Sequence, residues 1–589
     1  MTPLLVDVLL PATVAFVLTA ALVPAVKALA LQTGFVAVPK ADRWHRTAIP
    51  LLGGLAIVGG TLGGVATSRP SGASVWVLLV CAIGLAGVGL VDDLRTLRPQ
   101  SKLILQILFA SAMTAVGLQF QFTGVVPLDM LITLVWLVGI TNAFNLLDNM
   151  DGLAAGIAAI VAAFRLAFFL ADGDLEGAML AGVLLGACLG FLLYNFNPAS
   201  IFMGDTGSLF LGFMVAGLSL VGGWPYSRGT ALVLVFPVLV VLVPIFDTTF
   251  VTVARILAGR PVSQGGRDHT SHRLVALGMS ERQAVLVLYA LAMLGGGIAW
   301  MSYRYGLSYG AVFAMLLVLA TLLFGVFLGR LKVYPDDGEQ RSAFATLLVD
   351  FSYKRQVATV ALDTVIIIVA YYSAYLLRFE SAFQAEQTVF RQSLPIVVAA
   401  QIAAFLVLGT HRGVWRYTGV SDLLRLGRAC VLGTTVAVLG VLVLYRFEGY
   451  SRAVFALHAV LLFVLVAASR TSFRALDETF GARRTGAAPV VVYGAGKGGV
   501  MVLRELSDNE ALGWRVAAFV DDDRGKQGTR IQGVPVEGGV DRLEDILSST
   551  RAEHLIVSSA KIPDSALHDV RARCRRAGVS VLRASLIFE

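Results

Sequence analysis

Residues 142–152 read NAFNLLDNMDG, a polar segment inside a long apolar stretch of the chain. Its amides and carboxylates recur at three-residue spacing, at Asn142, Asn145, Asp148 and Asp151. Positions i and i+3 lie on one face of a helix, so the four side chains are expected to project together. Carboxylates at membrane depth persist mainly where they face a cavity, pair with a cation or hold a metal. The segment therefore predicts a polar site within a membrane protein, with a solvated loop between two spans as the alternative.

The composition places this segment in a polytopic membrane protein. Of the 589 residues, 57% are hydrophobic and only 15% are charged, which excludes an ordinary large soluble protein. The net charge of +8 arises from 47 basic and 39 acidic residues. Much of the basic excess lies in short loops, so it indicates topology and does not predict a nucleic-acid partner. The cysteines are scattered without a CxxC pair, so neither a disulfide framework nor a zinc site is predicted.

Apolar runs long enough to cross about 30 Å of hydrocarbon predict about fifteen transmembrane helices. The runs cover residues 7–30, 50–68, 74–91, 103–119, 128–146, 153–171, 176–194, 206–222, 230–254, 283–302, 309–329, 356–377, 394–410, 428–445 and 453–470. The hydropathy falls after residue 470, where candidate strands alternate with helical segments. The predicted fold class is a polytopic α-helical membrane protein with a C-terminal cytoplasmic α/β Rossmann-like domain.

Polar stretches divide the chain into predicted domains. Residues 331–355 form a predicted cytoplasmic linker after an eleven-span unit at residues 1–330. A four-span unit follows at residues 356–475, and the soluble domain occupies residues 486–589. Lysine and arginine are concentrated in one set of alternate loops, which predicts that these loops are cytoplasmic. The N-terminus is then outside, whereas the polar islands and the C-terminal domain are inside.

Two charged islands precede the segment that begins at Asn142. The first, residues 38–54, carries Lys40, Arg43, His45 and Arg46. Such side chains bind phosphate groups, although anchoring at the membrane surface would also explain a basic loop. The second, residues 89–102, ends a span with Asp92 and Asp93. Adjacent carboxylates can hold Mg²⁺ or orient a phosphate nucleophile, and a solvated loop is the alternative.

Two more islands follow that segment. In residues 195–213, Asp205 stands between Gly204 and the Thr-Gly-Ser turn that opens the next span. An aspartate there is commonly a helix cap, but the glycines also let the backbone approach an anion or a metal-bound phosphate. The loop at residues 255–274 carries histidines and arginines, among them Arg267, His269, His272 and Arg273. Further zinc ligands are lacking nearby, and this mixture of side chains suits the binding of a pyrophosphate.

In this order, the motifs resemble those of the polyprenyl-phosphate N-acetylhexosamine-1-phosphate transferases. The resemblance covers residues 1–330 and rests on Asp92-Asp93, NAFNLLDNMDGLAAG, FMGDTGSLFLGF, PIFDTTF at residues 244–250 and the histidine loop. It implies a bacterial plasma-membrane enzyme that transfers a sugar 1-phosphate from a UDP-sugar to polyprenyl phosphate and releases UMP. This reaction would be the first membrane step of cell-envelope polysaccharide synthesis. A requirement for Mg²⁺ is also implied, and Mn²⁺ can substitute for it.

The resemblance also implies roles for individual residues. Asp205 would be the principal magnesium ligand, and Asp92 and Asp93 would be catalytic acids at the metal. Asp148 would be a further carboxylate of the catalytic site. The implied substrate-binding residues are Lys40, Arg46, Asn142, Asn145, Asp151, Arg267, His269, His272 and Arg273. The loop reads HTSHR rather than the three consecutive histidines of peptidoglycan-type members, which favours a UDP-GlcNAc-type donor over a peptide-bearing UDP-muramoyl donor.

The C-terminal region begins with residues 488–506, APVVVYGAGKGGVMVLREL, an apolar strand followed by a glycine-rich turn and a helix. This is the context of a dinucleotide fingerprint, whose expected residues are Gly494, Gly496, Gly499, Asp521 and Asp522. Residues 350–589 resemble the membrane and first Rossmann portion of membrane-bound nucleotide-sugar dehydratases and of large polyprenyl-phosphate hexose-1-phosphate transferases. No dehydratase YxxxK signature follows, so a sensing, scaffolding or assembly role is predicted. Whether the domain binds a nucleotide or nucleotide-sugar stays open.

Other functions would also place charge within a membrane. A transporter regulated by a nucleotide-sensing domain predicts polar residues at the bilayer midplane or on both sides, whereas these residues collect at span ends. A non-catalytic scaffold is disfavoured because every acidic motif position is intact. A transferase with a UDP-sugar donor, a polyprenyl phosphate acceptor and membrane lipids as partners is therefore preferred. A homo-oligomer and a sugar-modifying partner enzyme are further partner predictions.

Overall fold

The computed structural model contains two compact units, Met1–Arg470 and Thr471–Glu589. It describes residues 5–37, 48–68, 70–222, 232–257, 260, 266, 268–305, 307–329, 351–379, 382–383, 385–410, 420–480, 488–509, 512–558 and 564–584. Among the predicted site residues, Lys40, Arg46 and Arg267 lie outside the described residues.

The first unit opens with a π-helical turn, Leu5–Leu9, and a series of apolar helices. They are α1 (Leu10–Thr33), α2 (Gly53–Ser68), α3 (Ala73–Leu94), α4 (Pro99–Ala115), α5 (Val126–Leu147), α6 (Leu153–Asp172), α7 (Leu175–Asn195) and α8 (Gly204–Leu218). Between α1 and α2, β1 (Val36–Ala37) pairs antiparallel with β2 (Ile49–Pro50). Helices suit this sequence because all backbone polar groups must pair within each segment in a bilayer.

Further helices complete the membrane part of the chain. They are α9 (Leu232–Val240), α10 (Leu242–Leu257), α11 (Thr270–Ala276), α12 (Glu281–Tyr305), α13 (Leu307–Gly329), α14 (Phe351–Phe379), α15 (Gln387–Val407), α16 (Val420–Tyr445) and α17 (Arg452–Phe480). Helices α14 to α17 share a hydrophobic core that also includes Leu319 of α13. Asp363 of α14 and Arg470 of α17 are buried, and Nη2 of Arg470 donates to both carboxylate oxygens of Asp363, at 2.7 and 2.8 Å.

This arrangement confirms the predicted helical membrane architecture. Each predicted apolar run coincides with a helix, except that the run at residues 230–254 contains two helices, α9 and α10, which are separated at Val241. Pro244 lies in the first turn of α10, where its missing N–H is tolerated, but it would disrupt a helix continuing through Val241. Eleven of the described helices are long and apolar enough to cross a membrane. Since α2 and α8 are shorter, the number of about fifteen spans stays a prediction.

Helix α8 lies at the centre of the first unit, and its residues from Thr206 to Leu218 are buried. Glycines bring neighbouring backbones very close to its first turn. A Cβ at Gly54 of α2 would lie 2.2 Å from Gly207 N, and one at Gly89 of α3 would lie 2.3 Å from Asp205 O. Distances this short leave no space for a side chain. The glycines of α2 and α3 therefore determine where the N-terminal turn of α8 lies.

The second unit contains a parallel α/β sheet. Its elements are β3 (Ala488–Tyr493), α18 (Lys497–Asp508), β4 (Trp514–Val520), β5 (Arg530–Ile531), β6 (Val534–Gly538), a 3₁₀ turn (Val540–Arg542), α19 (Leu543–Thr550), β7 (His554–Val557), α20 (Asp564–Arg576) and β8 (Ser580–Arg583). The strand order is β5-β6-β4-β3-β7-β8, and all pairs are parallel except β5 with β6. This doubly wound order confirms the Rossmann-like prediction.

The predicted domain boundaries stay predictions. Most of the predicted linker, residues 330–350, lies outside the described part of the chain, and α14 already begins at Phe351. The predicted orientation, with the N-terminus outside and the C-terminal domain inside, likewise stays a prediction.

Candidate active site

The N-terminus of α8 places Asp205 at a junction of several helices. The preceding loop follows the start of α2: Phe202 N donates to Pro50 O, and Gly53 N donates to Phe202 O, each at 2.9 Å. Gly204 begins α8 with a φ of +67°, a conformation that favours glycine. Asp205 is therefore held by backbone contacts as well as by the packing of α8.

Lys102 connects two of the predicted catalytic carboxylates. Its Nζ lies 2.7 Å from Asp92 Oδ2 and 2.8 Å from Asp205 Oδ2. Asp92 Oδ1 also accepts a hydrogen bond from Leu97 N, at 2.5 Å. The exposed fractions of the side chains are 9% for Asp92 and 28% for Asp205. The carboxylates thus meet at one ammonium group, and part of the Asp205 side chain remains accessible.

Asn145 joins this cluster from α5. Its Nδ2 donates to Asp205 Oδ1 at 3.0 Å and to Ser208 Oγ at 2.9 Å. The amide therefore orients the carboxylate of Asp205 while Lys102 neutralises part of its charge. Asp92, Lys102, Asn145 and Asp205 are named the carboxylate cluster below.

Asp93 points to a different set of partners from its neighbour Asp92. Its Oδ1 accepts from Asp205 N at 2.8 Å, and its Oδ2 accepts from Thr206 N at 3.0 Å and Thr206 Oγ1 at 2.6 Å. A Cβ at Gly204 would lie 2.6 Å from Asp93 Oδ2. Asp93 therefore satisfies N–H groups that the first turn of α8 leaves unpaired, the role that a capping residue has in many helices.

The expectation that Asn142, Asn145, Asp148 and Asp151 project together from one helical face is wrong for Asp148 and Asp151. Helix α5 ends at Leu147, so Asp148 is its C-terminal cap residue and Asp151 lies beyond it. Asn142 instead exchanges hydrogen bonds with Gln106 of α4, at 2.7 and 3.2 Å. Only Asn145 of this series hydrogen-bonds to a member of the cluster in the described contacts. The change of direction after Leu147 separates the remaining side chains.

Asp151 stabilises the loop that precedes α8. Its Oδ2 accepts from Ala199 N at 2.8 Å and from Asn197 Nδ2 at 3.3 Å. Asn197 Nδ2 also donates to Glu281 Oε2 at 2.7 Å. In the same segment, Asn149 Oδ1 accepts from Ser271 Oγ at 2.7 Å, which connects the turn after α5 with the histidine helix α11.

The histidines lie at the start of α11. His269 is the cap residue and His272 lies in the first turn, with ring centroids 6.0 Å apart in an edge-to-face arrangement. His269 Nδ1 lies 2.8 Å from Asp247 Oδ2 of α10. Both histidine residues are buried, with exposed fractions of 4% for His269 and 6% for His272.

Arg273 and Asp268 stabilise the same short helix. Arg273 donates from Nε to Asp268 O at 3.0 Å and from Nη1 to Leu328 O of α13 at 2.9 Å. Asp268 accepts two hydrogen bonds of 2.7 Å from Arg255. Burial alone would raise the pKa of Asp268, but the ion pair with Arg255 holds it below its usual value. Much of the hydrogen-bonding capacity of Arg273 is thus directed to the protein backbone.

In the second unit, the glycine-rich turn follows β3 as predicted. Gly494 has a φ of +102°, and a Cβ at Gly499 would lie 2.0 Å from Gly494 O. A Cβ at Gly496, in contrast, would meet no atom within 4 Å. The turn therefore needs a glycine at position 499 for its own packing, whereas Gly496 borders open space at the start of α18.

Asp521 and Asp522, the two acids of the predicted dinucleotide fingerprint, already have protein partners. Asp521 Oδ2 accepts from Ala495 N at 2.7 Å and lies 3.1 Å from Lys526 Nζ. Burial alone would raise the pKa of Asp521, but these and other hydrogen bonds lower it. Asp522 accepts from the hydroxyl of Tyr493 at 2.5 Å. Burial and this carboxylate raise the pKa of Tyr493.

Several residues of the site were not among those predicted. Lys102 is the last residue of the island at residues 89–102, ten residues after Asp92. A basic residue near the end of a span is typical of any cytoplasmic loop, so the sequence does not single it out. Gln106 lies one helical turn after Lys102, and this spacing is the signal that places both on one face of α4. Asp247 lies in the PIFDTTF motif within an apolar run, where an isolated carboxylate indicates a functional role.

Two family models match different parts of the chain. The model for glycosyl transferase family 4 matches residues 75–223, which include all members of the carboxylate cluster. The model described as a CoA-binding domain matches residues 409–583, which include the glycine-rich turn.

Several known proteins have sequences similar to part of this chain. A Bacillus subtilis protein, "Probable undecaprenyl-phosphate N-acetylglucosaminyl 1-phosphate transferase", is 36% identical over 281 residues, 46% of this chain and 78% of the relative. "Decaprenyl-phosphate N-acetylglucosaminephosphotransferase" of Mycobacterium tuberculosis is 34% identical over 301 residues, 45% of this chain and 74% of the relative. "Phospho-N-acetylmuramoyl-pentapeptide-transferase" of Lactobacillus delbrueckii is 30% identical over 284 residues, 44% of this chain and 86% of the relative.

Proposed function

Because the chain belongs to the polyprenyl-phosphate N-acetylglucosamine-1-phosphate transferases of glycosyl transferase family 4, we propose that it transfers GlcNAc 1-phosphate from UDP-GlcNAc to a polyprenyl phosphate and releases UMP. The observation that carries the proposal is the carboxylate cluster at the N-terminus of α8. Phosphoryl transfer requires in-line placement and neutralisation of charge more than covalent help from the protein. A cluster of carboxylates, an ammonium and an amide can hold a metal and orient phosphates in this way.

A divalent metal fits the donor set of this cluster. Enzymes of this family generally depend on such a metal, and Mg²⁺ is commonly held by one or two carboxylates together with substrate phosphates. Asp92 and Asp205 both approach the Nζ of Lys102 within 2.8 Å, so their oxygens converge on one cation already. Asp205 and Asp92 would hold Mg²⁺, which would neutralise the negative charge that develops on the phosphate of the leaving UMP. Asp93 would instead maintain the position of α8.

The acceptor needs little activation at neutral pH. The second pKa of a phosphate monoester lies near about 6, so a polyprenyl phosphate is largely a dianion. The cluster therefore has to bring two anions together, and Lys102 supplies positive charge at that place. Asn145 holds the Asp205 carboxylate in one orientation, with a hydrogen bond of 3.0 Å. Asp151 holds the loop that precedes α8, and Asp148 and Asp151 would line the nucleotide site beyond the end of α5.

The histidine loop would bind the donor pyrophosphate. His269 and His272 lie together at the start of α11, and Lys40, Arg46 and Arg267 remain the further phosphate ligands implied by the motifs. Asn142 and Arg273 have well-satisfied protein contacts, so their contribution would be to shape the site. The active site would face the cytoplasm of a bacterial plasma membrane, where UDP-sugars are made.

The C-terminal module would bind a nucleotide or nucleotide-sugar at its glycine-rich turn. Gly496 borders open space at the N-terminus of α18, where backbone N–H groups favour phosphates. Asp521 and Asp522 are engaged with the protein, so a bound ribose would have to displace those contacts. Such binding would allow a pathway metabolite to regulate the membrane enzyme or would mark a docking place for a sugar-modifying partner. Calorimetry on the intact chain and on Gly496→Trp, with UDP, UDP-GlcNAc and NAD, tests this.

Release of UMP is the direct test of the catalytic proposal. Purified protein is incubated with UDP-GlcNAc and polyprenyl phosphate, and both UMP and the lipid-linked sugar are measured. We expect equal amounts of the two products, no product after chelation with EDTA, and restored activity with Mg²⁺ or Mn²⁺. Full activity in EDTA would contradict the metal assignment. Movement of UDP-GlcNAc across proteoliposomes without release of UMP would indicate a transporter.

A further inference from the structure

The acid Asp247 faces the histidine loop from α10 and has no role in the proposal above. Its side chain is only 1% exposed. Oδ1 accepts from Thr270 N at 2.8 Å and from Thr270 Oγ1 at 2.6 Å, and Oδ2 lies 2.8 Å from His269 Nδ1. A carboxylate is tolerated in such a buried place when hydrogen bonds satisfy its oxygens. Asp247 is therefore committed to the first residues of α11.

These contacts determine which ring nitrogen of His269 carries a proton. An ionised carboxylate can only accept hydrogen bonds, so Nδ1 of His269 must be the donor to Asp247. Nε2 then lies on the side of the ring away from Asp247. No described residue forms a hydrogen bond with Nε2 of His269, although the His269 side chain is only 6% exposed. The orientation of the His269 ring is therefore fixed, and its Nε2 is the nitrogen that can bind a ligand.

The neighbouring contacts join the fixed ring to the rest of the proposed site. The hydrogen bond between Nδ1 and Asp247 Oδ2 sets the plane of the imidazole, so Nε2 has one direction in which it can meet a phosphate oxygen. Ser271 Oγ donates to Asn149 Oδ1 at 2.7 Å, which connects α11 to the turn that follows α5 and Asn145. The histidine helix is therefore joined to the segment that follows Asn145 of the carboxylate cluster, where a pyrophosphate would bind.

We infer that Asp247 is a positioning residue that orients His269 so that Nε2 binds the pyrophosphate of the nucleotide donor. The inference rests on the proposed function, because it needs a nucleoside diphosphate at this site. Asp247 itself does not touch the ligand. Its contribution is transmitted through His269, so removing either side chain should have the same consequence for binding.

A double-mutant cycle on the full chain tests this coupling with UDP as the probe. We expect Asp247→Asn and His269→Ala each to raise the Kd for UDP, measured by calorimetry, about tenfold, as for loss of one charge-assisted hydrogen bond. The double variant should also show about a tenfold loss and not the product of both, because the two changes remove one interaction. In turnover assays the KM for UDP-GlcNAc should rise, with the KM for polyprenyl phosphate unchanged.

Asp129→Asn is the matched control for the loss of a buried carboxylate. Asp129 is 3% exposed at the start of α5, where it accepts from Thr123 N at 2.7 Å and from Thr123 Oγ1 at 2.8 Å. This variant should lower Tm and leave the Kd for UDP unchanged. If Asp247→Asn also lowers Tm without changing the Kd for UDP, or if the cycle is additive, Asp247 has only a structural role.

His269→Asn keeps the inference testable if Asp247→Asn does not fold. Its amide N–H can still donate to Asp247, but the variant lacks a group at the position of Nε2. We expect a tenfold weaker affinity for UDP, and wild-type affinity overturns the inference. If the wild type binds UDP and the double-mutant cycle shows the expected coupling, but no UMP is released, the proposed transfer is wrong while the role of Asp247 holds. If the wild type does not bind UDP at all, both are wrong.

Discussion

The shared ammonium of Lys102 determines the charge that a metal or phosphate meets at the site. With Asp92 and Asp205 ionised, one positive and two negative groups leave a net charge of −1 in the contacts of 2.7 and 2.8 Å. In a partly buried place such a charge is weakly screened, so it attracts a cation strongly. The cluster is therefore prepared for a divalent ion that arrives with the pyrophosphate.

Asp205→Asn should abolish most of the turnover while the protein remains folded. The amide keeps an acceptor for Asn145 but removes the charge that holds a hard cation. We expect kcat to fall by at least about 100-fold, the size of loss seen when a group that stabilises a transition state is removed. Measurement of UMP release at saturating Mg²⁺ checks this, with Asp129→Asn as the control. Near-normal turnover would remove Asp205 from the centre of the mechanism.

Lys102→Met should lower kcat and, at the same time, reduce the Mg²⁺ concentration that gives half-maximal activity. Both effects are expected from loss of the Lys102 ammonium, because it neutralises the carboxylates of Asp92 and Asp205, which would also bind the metal. Titration of the residual activity with Mg²⁺ measures the second effect separately from the first. A higher Mg²⁺ requirement in the variant would show that Lys102 supports metal binding and does not oppose it.

The sequence allowed the acids of this site to be predicted better than their partners. Asp92, Asn145 and Asp205 could be predicted because polar residues in apolar spans are costly and recur in recognisable motifs. The pairing of Asn142 with Gln106 could not be predicted, because the i+3 spacing describes residues of one helix and Gln106 lies on another, α4. The different directions of Asp92 and Asp93 depend on how α3 meets α8. Contacts across more than 100 residues, such as those of Asp93 with Thr206, require the tertiary structure.

Helix α8 is held at both ends by charged groups from other helices. Asp93 of α3 accepts hydrogen bonds from its first N–H groups, and Arg165 of α6 donates to the carbonyl of Leu218 at its C-terminus. These charges have the signs that complement the helix dipole. The hydropathy of the sequence predicted α8 as a span. It did not predict the contacts of Asp93 and Arg165 with the helix ends, because both residues lie in distant parts of the chain. The element that carries Asp205 is thus fixed along its axis.

Gly89→Ala should disturb the site, and Gly87→Ala on the same helix provides the matched control. A Cβ at Gly89 would lie 2.3 Å from Asp205 O, whereas one at Gly87 meets no atom within 4 Å. Overpacking of this kind costs about 1–3 kcal/mol, and here it would displace Asp205 as well. We expect a lower Tm and at least about a tenfold lower kcat for Gly89→Ala, since displacement of a reacting group by 1 Å is costly. Gly87→Ala should match the wild type in both measurements.

The described members of the proposed catalytic site precede Gly329, while α14 to α17 share a core with Leu319 of α13. Helices α14 to α17 therefore pack into a core but contribute none of the described residues of the proposed site. The sequence predicted both the helical part and the Rossmann-like part, because apolar runs and strand-turn-helix patterns are local signals. Which helices share a core depends on tertiary packing, so it could not be predicted in the same way.

Truncation separates these contributions. Deleting residues 481–589 should leave kcat close to that of the full chain, because it removes no residue of the proposed site. Deleting residues 351–589 should leave measurable transfer but a lower Tm, since Leu319 and its neighbours lose their apolar contacts. UMP release and thermal unfolding of both truncated proteins in the same detergent check this. Complete loss of transfer in the shorter deletion would show that the C-terminal module is needed for the reaction.

The shortness of α8 has a consequence for where the protein adapts to the membrane. At 1.5 Å per residue, fifteen residues measure about 22 Å, which is less than the hydrocarbon thickness of about 30 Å. Because α8 is buried among other helices, this difference in length is accommodated inside the protein and not by thinning of the surrounding bilayer. Activity should therefore be similar in vesicles of shorter-chain and longer-chain phosphatidylcholines, at equal acceptor density.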